Sequence, residues 1–222
     1  MLVQIYGLTT PEDAELVRAL EPDHVGVVLD EGIATWDSVD EASARQIVAE
    51  LAGVTVVALS LSTDRDRILA TVATLQPSIL HLARAADGLT PERVRLLRDE
   101  IAPVRVMVTV PVRGPDAVEV ARRFVPSVDY LLTDTADQTT GVVGATGHVH
   151  DWAISAEIVR AVDVPVFLAG GLGPENVVEA IHRVRPAGVD SETRTSRADD
   201  RRRKDPEKVR RFIELARASA WE

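Results

Sequence analysis

Eight short apolar, β-branched runs alternate with stretches of helical spacing, and this alternation limits the fold more than any other feature of the chain. The runs are LVQIYG (2–7), HVGVVL (24–29), VTVVALSL (54–61), SILHLA (78–83), VRVMVTV (104–110), VDYLLT (128–133), VPVFLAG (164–170) and AGVD (187–190). Between them lie segments such as EASARQIVAEL (41–51) and DRDRILATVATL (64–75), whose apolar residues recur three and four apart. Strands each followed by a helix call for parallel pairing and crossover connections.

A repeated phrase marks the helix starts. TPED (10–13), TPER (90–93), GPEN (173–176) and DPEK (205–208) each follow a strand-like run. Proline suits a first helical position because it has no amide hydrogen to leave unpaired, and an acid in the first turn meets the positive end of the helix dipole. Eight such units within residues 1–222 predict an α/β fold, a single (βα)8 barrel with no linker dividing it. A doubly wound open sheet fits less well, because no G-x-G-x-x-G follows the first run and no G-x-x-x-x-G-K-[ST] occurs.

Charge and composition narrow the function. A net charge of −10 leaves no basic face for nucleic acid. No apolar run approaches the ~20 residues of a membrane span. There is no cysteine, so disulfides, thiolate metal sites and a cysteine nucleophile are absent, which fits a cytoplasmic protein. The two lysines, Lys204 and Lys208, sit beside the C-terminal helix, which argues against a Schiff-base aldolase. The basic run RRRK (201–204) reads as a solvated surface segment, or else as part of an anion site.

A barrel of this kind carries its site where strands run out into the following helices. The polar residues there are Tyr6, Asp30, Glu31, His81, Arg84, Thr109, Asp134, the GATG stretch (144–147), AGG (169–171) and DSETRTS (190–196). Gly170 and Gly171 let backbone approach a ligand, and the helix after them presents free amides to an anion. HVHD (148–151) has two histidines and an acid but no distant third ligand, so no metal and no cofactor is expected.

LAGGLGPENVVEAI, GATGHVHDW, KDPEKVRRFI and the opening QIYGLT together resemble the phosphoribosylanthranilate isomerase family, along the length of the chain. The resemblance implies an Amadori-type rearrangement of an N-ribosyl phosphate in tryptophan biosynthesis, acting on a small phosphorylated sugar, with the protein a monomer or homodimer. It places the family's general acid on Asp134 and its phosphate site on Gly144, Thr146, Gly147, Gly170, Gly171, Ser191, Thr193 and Arg194. His81 matches a family histidine and is either catalytic or a satisfied structural group. The family's base, a cysteine, falls on Tyr6. A phenol is roughly 1.5 pH units less acidic than a thiol and much larger. Tyr6 therefore stands in as catalytic partner, donates a hydrogen bond, or merely fills space.

Two further departures bear on the substrate. The family's aglycone-binding arginine after the second strand has no counterpart, since residues 27–44 hold five acids and neither Lys nor Arg. By charge alone that loop repels anthranilate and suits a neutral or cationic aglycone. In the eighth-strand loop Arg194 replaces the family glycine, and it either holds phosphate by charge or points to solvent. The expectation is an isomerase acting on a related phosphosugar, the alternative a non-catalytic or regulatory barrel that binds a phosphorylated metabolite.

Overall fold

The computed structural model describes residues 1–33, 35–135 and 150–219. Its strands are β1 (Leu2–Ile5), β2 (His24–Val28), β3 (Thr55–Ser60), β4 (Ile79–Leu82), β5 (Arg105–Val112), β6 (Tyr130–Thr135), β7 (Val166–Leu168) and β8 (Gly188–Ser191). They pair in chain order, all parallel, and β8 closes on β1. The expected (βα)8 barrel is the fold. Its helices are α1 (Pro11–Arg18), α2 (Glu41–Glu50), α3 (Arg65–Leu75), α4 (Ala85–Gly88), α5 (Pro91–Ile101), α6 (Ala117–Phe124), α7 (Trp152–Ala161), α8 (Val177–Val184) and α9 (Pro206–Ala218). Among the described residues no helix is long and apolar enough to cross a membrane.

The continuous apolar runs follow from burial on both faces, as parallel strands under helices require. Every residue of β2 is buried. One side of each strand, with Val3, Ile5, Val25, Val27 and Ala58, packs with Ala14 and Val17 of α1, Ile47 of α2 and Phe212 of α9. The other side fills the interior with Tyr6, Val57, Ile79, Met107, Leu132 and Phe167. Gln4 and Tyr6 thus share the interior face, as the two-residue period demands.

Three of the four proline phrases begin helices. α1, α5 and α9 start at Pro11, Pro91 and Pro206, and the preceding Thr10, Thr90 and Asp205 accept amide hydrogens of the first turn. Each such cap contributes about 1 kcal/mol. GPEN does otherwise: α8 begins only at Val177, and Asn176 turns back to accept from the Gly173 amide (2.9 Å) and donate to the Gly171 carbonyl (3.0 Å). The asparagine braces the glycine turn instead of capping a helix.

RRRK is solvated only in part: Arg201 and Arg202 are exposed, Arg203 is half-buried and Lys204 is buried. Asp13, 1 % exposed, takes both Nε and Nη2 of Arg203 at 3.1 Å and the Lys204 amide at 2.9 Å. Arg201 lies over the Trp36 ring, and Arg202 donates to the Trp36 and Ser38 carbonyls. Lys204 is wholly buried, its Nζ donating to the Glu192 carbonyl (2.9 Å) and Ser196 Oγ (3.2 Å). The run therefore ties the loop after β2, helix α1 and the loop after β8 together, at the mouth where the site lies.

Candidate active site

Tyr6 leaves β1 pointing into the barrel, and its ring lies on β2 where a glycine makes room. A Cβ on Gly26 would stand 2.1 Å from Cδ1 and Cε1 of Tyr6. The phenol oxygen is 2.8 Å from His81 Nδ1, and His81 Nε2 is 2.6 Å from Thr109 Oγ1. All three residues are buried. Burial holds His81 down to about 3 and raises Tyr6 well above 10. The chain of three is therefore neutral, the imidazole accepting through one nitrogen and donating through the other. A phenol kept protonated has no role as an anionic base, and an imidazole engaged at both nitrogens has little as an acceptor.

Below it lies a second buried polar group. Gln4 donates to Asp190 Oδ1 (3.1 Å), and its own Oε1 accepts from His24 Nδ1 (3.2 Å). These residues face one another because β1 pairs Gln4 with Asp190 on one side and His24 on the other. Burial raises Asp190 to about 8 and lowers His24 to about 4.

The cleft at the barrel mouth is bounded by Asp134, Gly170, Gly171, Glu192, Thr193 and Arg194. Asp134 stands near the end of β6, where burial raises it to about 7 against a single opposing bond from the Thr135 amide. Gly170 and Gly171 both have positive φ, and a Cβ on Gly170 would meet Thr135 Oγ1 at 2.4 Å. Arg194 packs its Cβ against Gly173. Ser191 is turned away from the cleft, its hydroxyl donating to the Leu172 carbonyl at 2.7 Å. Gly144, Thr146 and Gly147 lie outside the described residues. His150 of the HVHD motif is held by Thr135 and Ser155.

The structure brings out two groups that lie in segments noted in the sequence but were given no role of their own there. Glu192 follows Asp190 by two, so both face inward, and its carboxyl hydrogen-bonds Asp37 from the loop after β2. Burial, then Asp37, raise Glu192 well above the ordinary glutamate range. Burial also lowers Lys204 to about 8, against the attraction of Glu192 and Asp190. One signal for Lys204 was available: of 25 basic residues only two are lysines, so a lysine among so many arginines marks a place where the guanidinium does not fit.

Comparison with known proteins decides the family. The family model described as N-(5'phosphoribosyl)anthranilate (PRA) isomerase matches residues 3–215. The chain belongs to the phosphoribosylanthranilate isomerase family. It is 34 % identical over 220 residues to N-(5'-phosphoribosyl)anthranilate isomerase of Haloferax volcanii, covering 98 % of this chain and 93 % of that protein. It is 32 % identical over 218 residues to N-(5'-phosphoribosyl)anthranilate isomerase 2 of Methanosarcina mazei, covering 98 % and 94 %. The phosphoribosyl anthranilate isomerase structure from Thermotoga maritima superposes with a TM-score of 0.80 at 26 % identity, over 98 % of this chain and 99 % of that one. A further isomerase structure, solved with reduced 1-(o-carboxyphenylamino)-1-deoxyribulose 5-phosphate, superposes at 0.77 and 26 %, over 98 % and 100 %.

The acids of residues 27–44 do not face a ligand as their number implies. Asp30 accepts the Gly32 amide. Glu31 accepts from the Ser60 and Thr71 hydroxyls and the Leu61 and Ser62 amides. Asp37 is engaged with Glu192, Asp40 caps α2, and Glu41 pairs with Arg45. Each of the five carboxylates is committed to local structure. Beside this loop a cavity of about 350 Å³ opens among Ile33, Ser62, Asp64, Arg67, Arg84 and Asp87. Arg67 donates to the Glu31 carbonyl at 2.8 Å, so its guanidinium reaches the very loop that lacks a cation of its own. Asp64 caps α3, and Asp87 is bound through both oxygens by Arg113. Arg67 is thus held at the loop by the Glu31 carbonyl, and Arg84 is the cavity arginine with no side-chain hydrogen bond or ion pair among the described residues. β3 and β4 stand opposite β7 and β8 in the closed order, which sets this cavity across the mouth from the glycine turn.

Proposed function

We propose that the protein isomerises N-(5'-phosphoribosyl)anthranilate to the corresponding 1-(carboxyphenylamino)-1-deoxyribulose 5-phosphate, as an enzyme of tryptophan biosynthesis. The observation that carries this reading is Asp134: a carboxyl raised to about 7 at the end of an inner strand, lining one cleft with the Gly170–Gly171 turn, in a chain of this family. A proton affinity matched to neutral pH is what a general acid at the ribose ring oxygen needs. The phosphate is read at Gly170, Gly171, Thr193 and Arg194. The aglycone carboxylate is read at Arg67 and Arg84 across the mouth, a charge match that replaces the expected preference for a neutral or cationic aglycone.

Tyr6 and His81 form the wall between these two ends and take no proton in this reading. The free volume of the cleft, about 20 Å³, is close to that of one water. The same crowding, with Asp134, Asp190 and Glu192 around one cleft, favours the second reading, a barrel that binds a phosphorylated metabolite without converting it. Supplying freshly made phosphoribosylanthranilate and following the loss of its anthranilate-type fluorescence separates the two. Turnover supports the isomerase; binding of the reduced ribulose phosphate analogue with no turnover supports the second.

A further inference from the structure

We propose that the carboxylate of Glu192 is the second proton-transfer group of this site, acting opposite Asp134. The inference rests on the isomerase reading. Converting an N-ribosyl phosphate to an aminoketose needs two such groups. One gives a proton to the ring oxygen as the C1–O bond breaks; the bond pair stays on oxygen and the nitrogen lone pair closes C1=N. The other takes the proton from C2, whose bonding pair closes C1=C2 while nitrogen recovers its own. The enol hydroxyl then loses a proton and C1 gains one. Nothing is oxidised or reduced, and no co-reactant is consumed.

Four observations select Glu192 for the second task. The described carboxyls of the cleft are Asp134, Asp190 and Glu192, and Asp190 is held by Gln4 in the buried Gln4–His24 group. The phenol of Tyr6 and both nitrogens of His81 are engaged with one another and with Thr109. Glu192 meets Asp37 through its carboxyl, but its Oε1 is sealed from solvent and has no hydrogen-bond partner, an expensive condition for a carboxyl oxygen unless a ligand completes it. The placement also fits. Asp134 and Glu192 leave the two strands that flank β7, so a ligand seated on the Gly170–Gly171 turn lies between them.

The neighbours give the carboxylate its strength. Its side chain lies against Gly7 at the exit of β1, where a Cβ would stand 2.9 Å from Oε1. Asp37, Asp190 and burial favour its protonated form, and Lys204, anchored on the Glu192 carbonyl, favours the ionised one. A carboxyl so surrounded holds a proton more tightly than free glutamate, and Lys204 is the neighbour that favours its ionised form.

The test compares Glu192→Gln and Glu192→Asp with the unaltered protein. It measures kcat on phosphoribosylanthranilate, and binding of the reduced ribulose phosphate analogue by calorimetry. Glu192→Gln is expected to lose about 10³-fold in kcat while binding the analogue within about threefold. Glu192→Asp, with the base withdrawn by one carbon, keeps partial activity and shows a larger isotope effect on C2-deuterated substrate than the unaltered protein does. An active parent with Glu192→Gln within tenfold of it overturns the assignment and leaves the isomerase reading intact. So does a Glu192→Gln that loses analogue binding as much as turnover. A parent that binds the analogue but converts no substrate overturns both.

Discussion

The Tyr6 hydroxyl lies 2.8 Å from His81 Nδ1, inside the barrel and screened from solvent. Both ends of that bond are neutral at physiological pH, since burial raises the phenol and lowers the imidazole. On the proposed reading the tyrosine at the end of the first strand is a wall of the site, and proton transfer falls to carboxyls.

The wall depends on a glycine. Alanine at Gly26 would put a methyl within 2.1 Å of the Tyr6 ring. Gly26→Ala is expected to destabilise by about 1–3 kcal/mol, as overpacking does. Tyr6→Ala alone leaves a cavity, but the double substitution should cost much less than the sum, because the new methyl enters the space left by the ring. Urea unfolding of the four proteins measures the coupling. Additive costs would mean that the ring does not rest on Gly26.

Asp190 makes stability depend on pH with a definite sign. Its native pKa, about 8, lies above an unfolded value near ~3.9. Between those values the native state holds more protons than the unfolded one, so stability falls as pH rises through that window and levels off above it. Asparagine keeps the oxygen that accepts from Gln4 and removes the ionisation. Asp190→Asn should gain on the parent by about 4 kcal/mol between pH 5 and pH 9. Parallel stability curves for the two proteins would show that Asp190 does not carry the slope.

Arg84 lines the cavity opposite the glycine turn, and among the described residues its guanidinium has neither hydrogen bond nor ion pair. If it meets the aglycone carboxylate, Arg84→Ala should raise KM for phosphoribosylanthranilate by about tenfold or more, the worth of a charge-assisted bond. The same change should leave KM nearly unaltered for the N-phosphoribosyl derivative of aniline, which lacks the carboxylate. An equal rise for both substrates would assign Arg84 to the loop's architecture.

The barrel was legible because it is written in period. Strand length, helix spacing and proline at helix starts are local properties, and all eight strands fell where apolar runs predicted them. GPEN misled because Asn176 bonds backward to Gly171 and Gly173, a choice made by the turn's three-dimensional shape. The acids of residues 27–44 misled in another way. Counting charge along sequence assumes that each charge is free, whereas Glu31 is held by four donors contributed by β3, its following loop and α3. Arg203 and Lys204 of RRRK looked solvated for the same reason, their partners Asp13 and Glu192 lying 190 and 12 residues away. Asp134, Tyr6 and the glycine turn were visible at strand ends. The uncommitted oxygen of Glu192 appears only once β8 is closed against β1.

The central claim is that carboxyls, with Asp134 first among them, and not the tyrosine at the end of β1, carry the isomerisation. Its most direct measurement is kcat/KM on freshly made phosphoribosylanthranilate for the unaltered protein, Asp134→Asn and Tyr6→Phe, each confirmed folded by thermal unfolding. The expected result is turnover that Asp134→Asn reduces by about 10³-fold and that Tyr6→Phe leaves within a few-fold. Turnover that survives in Asp134→Asn and disappears in Tyr6→Phe would contradict the account.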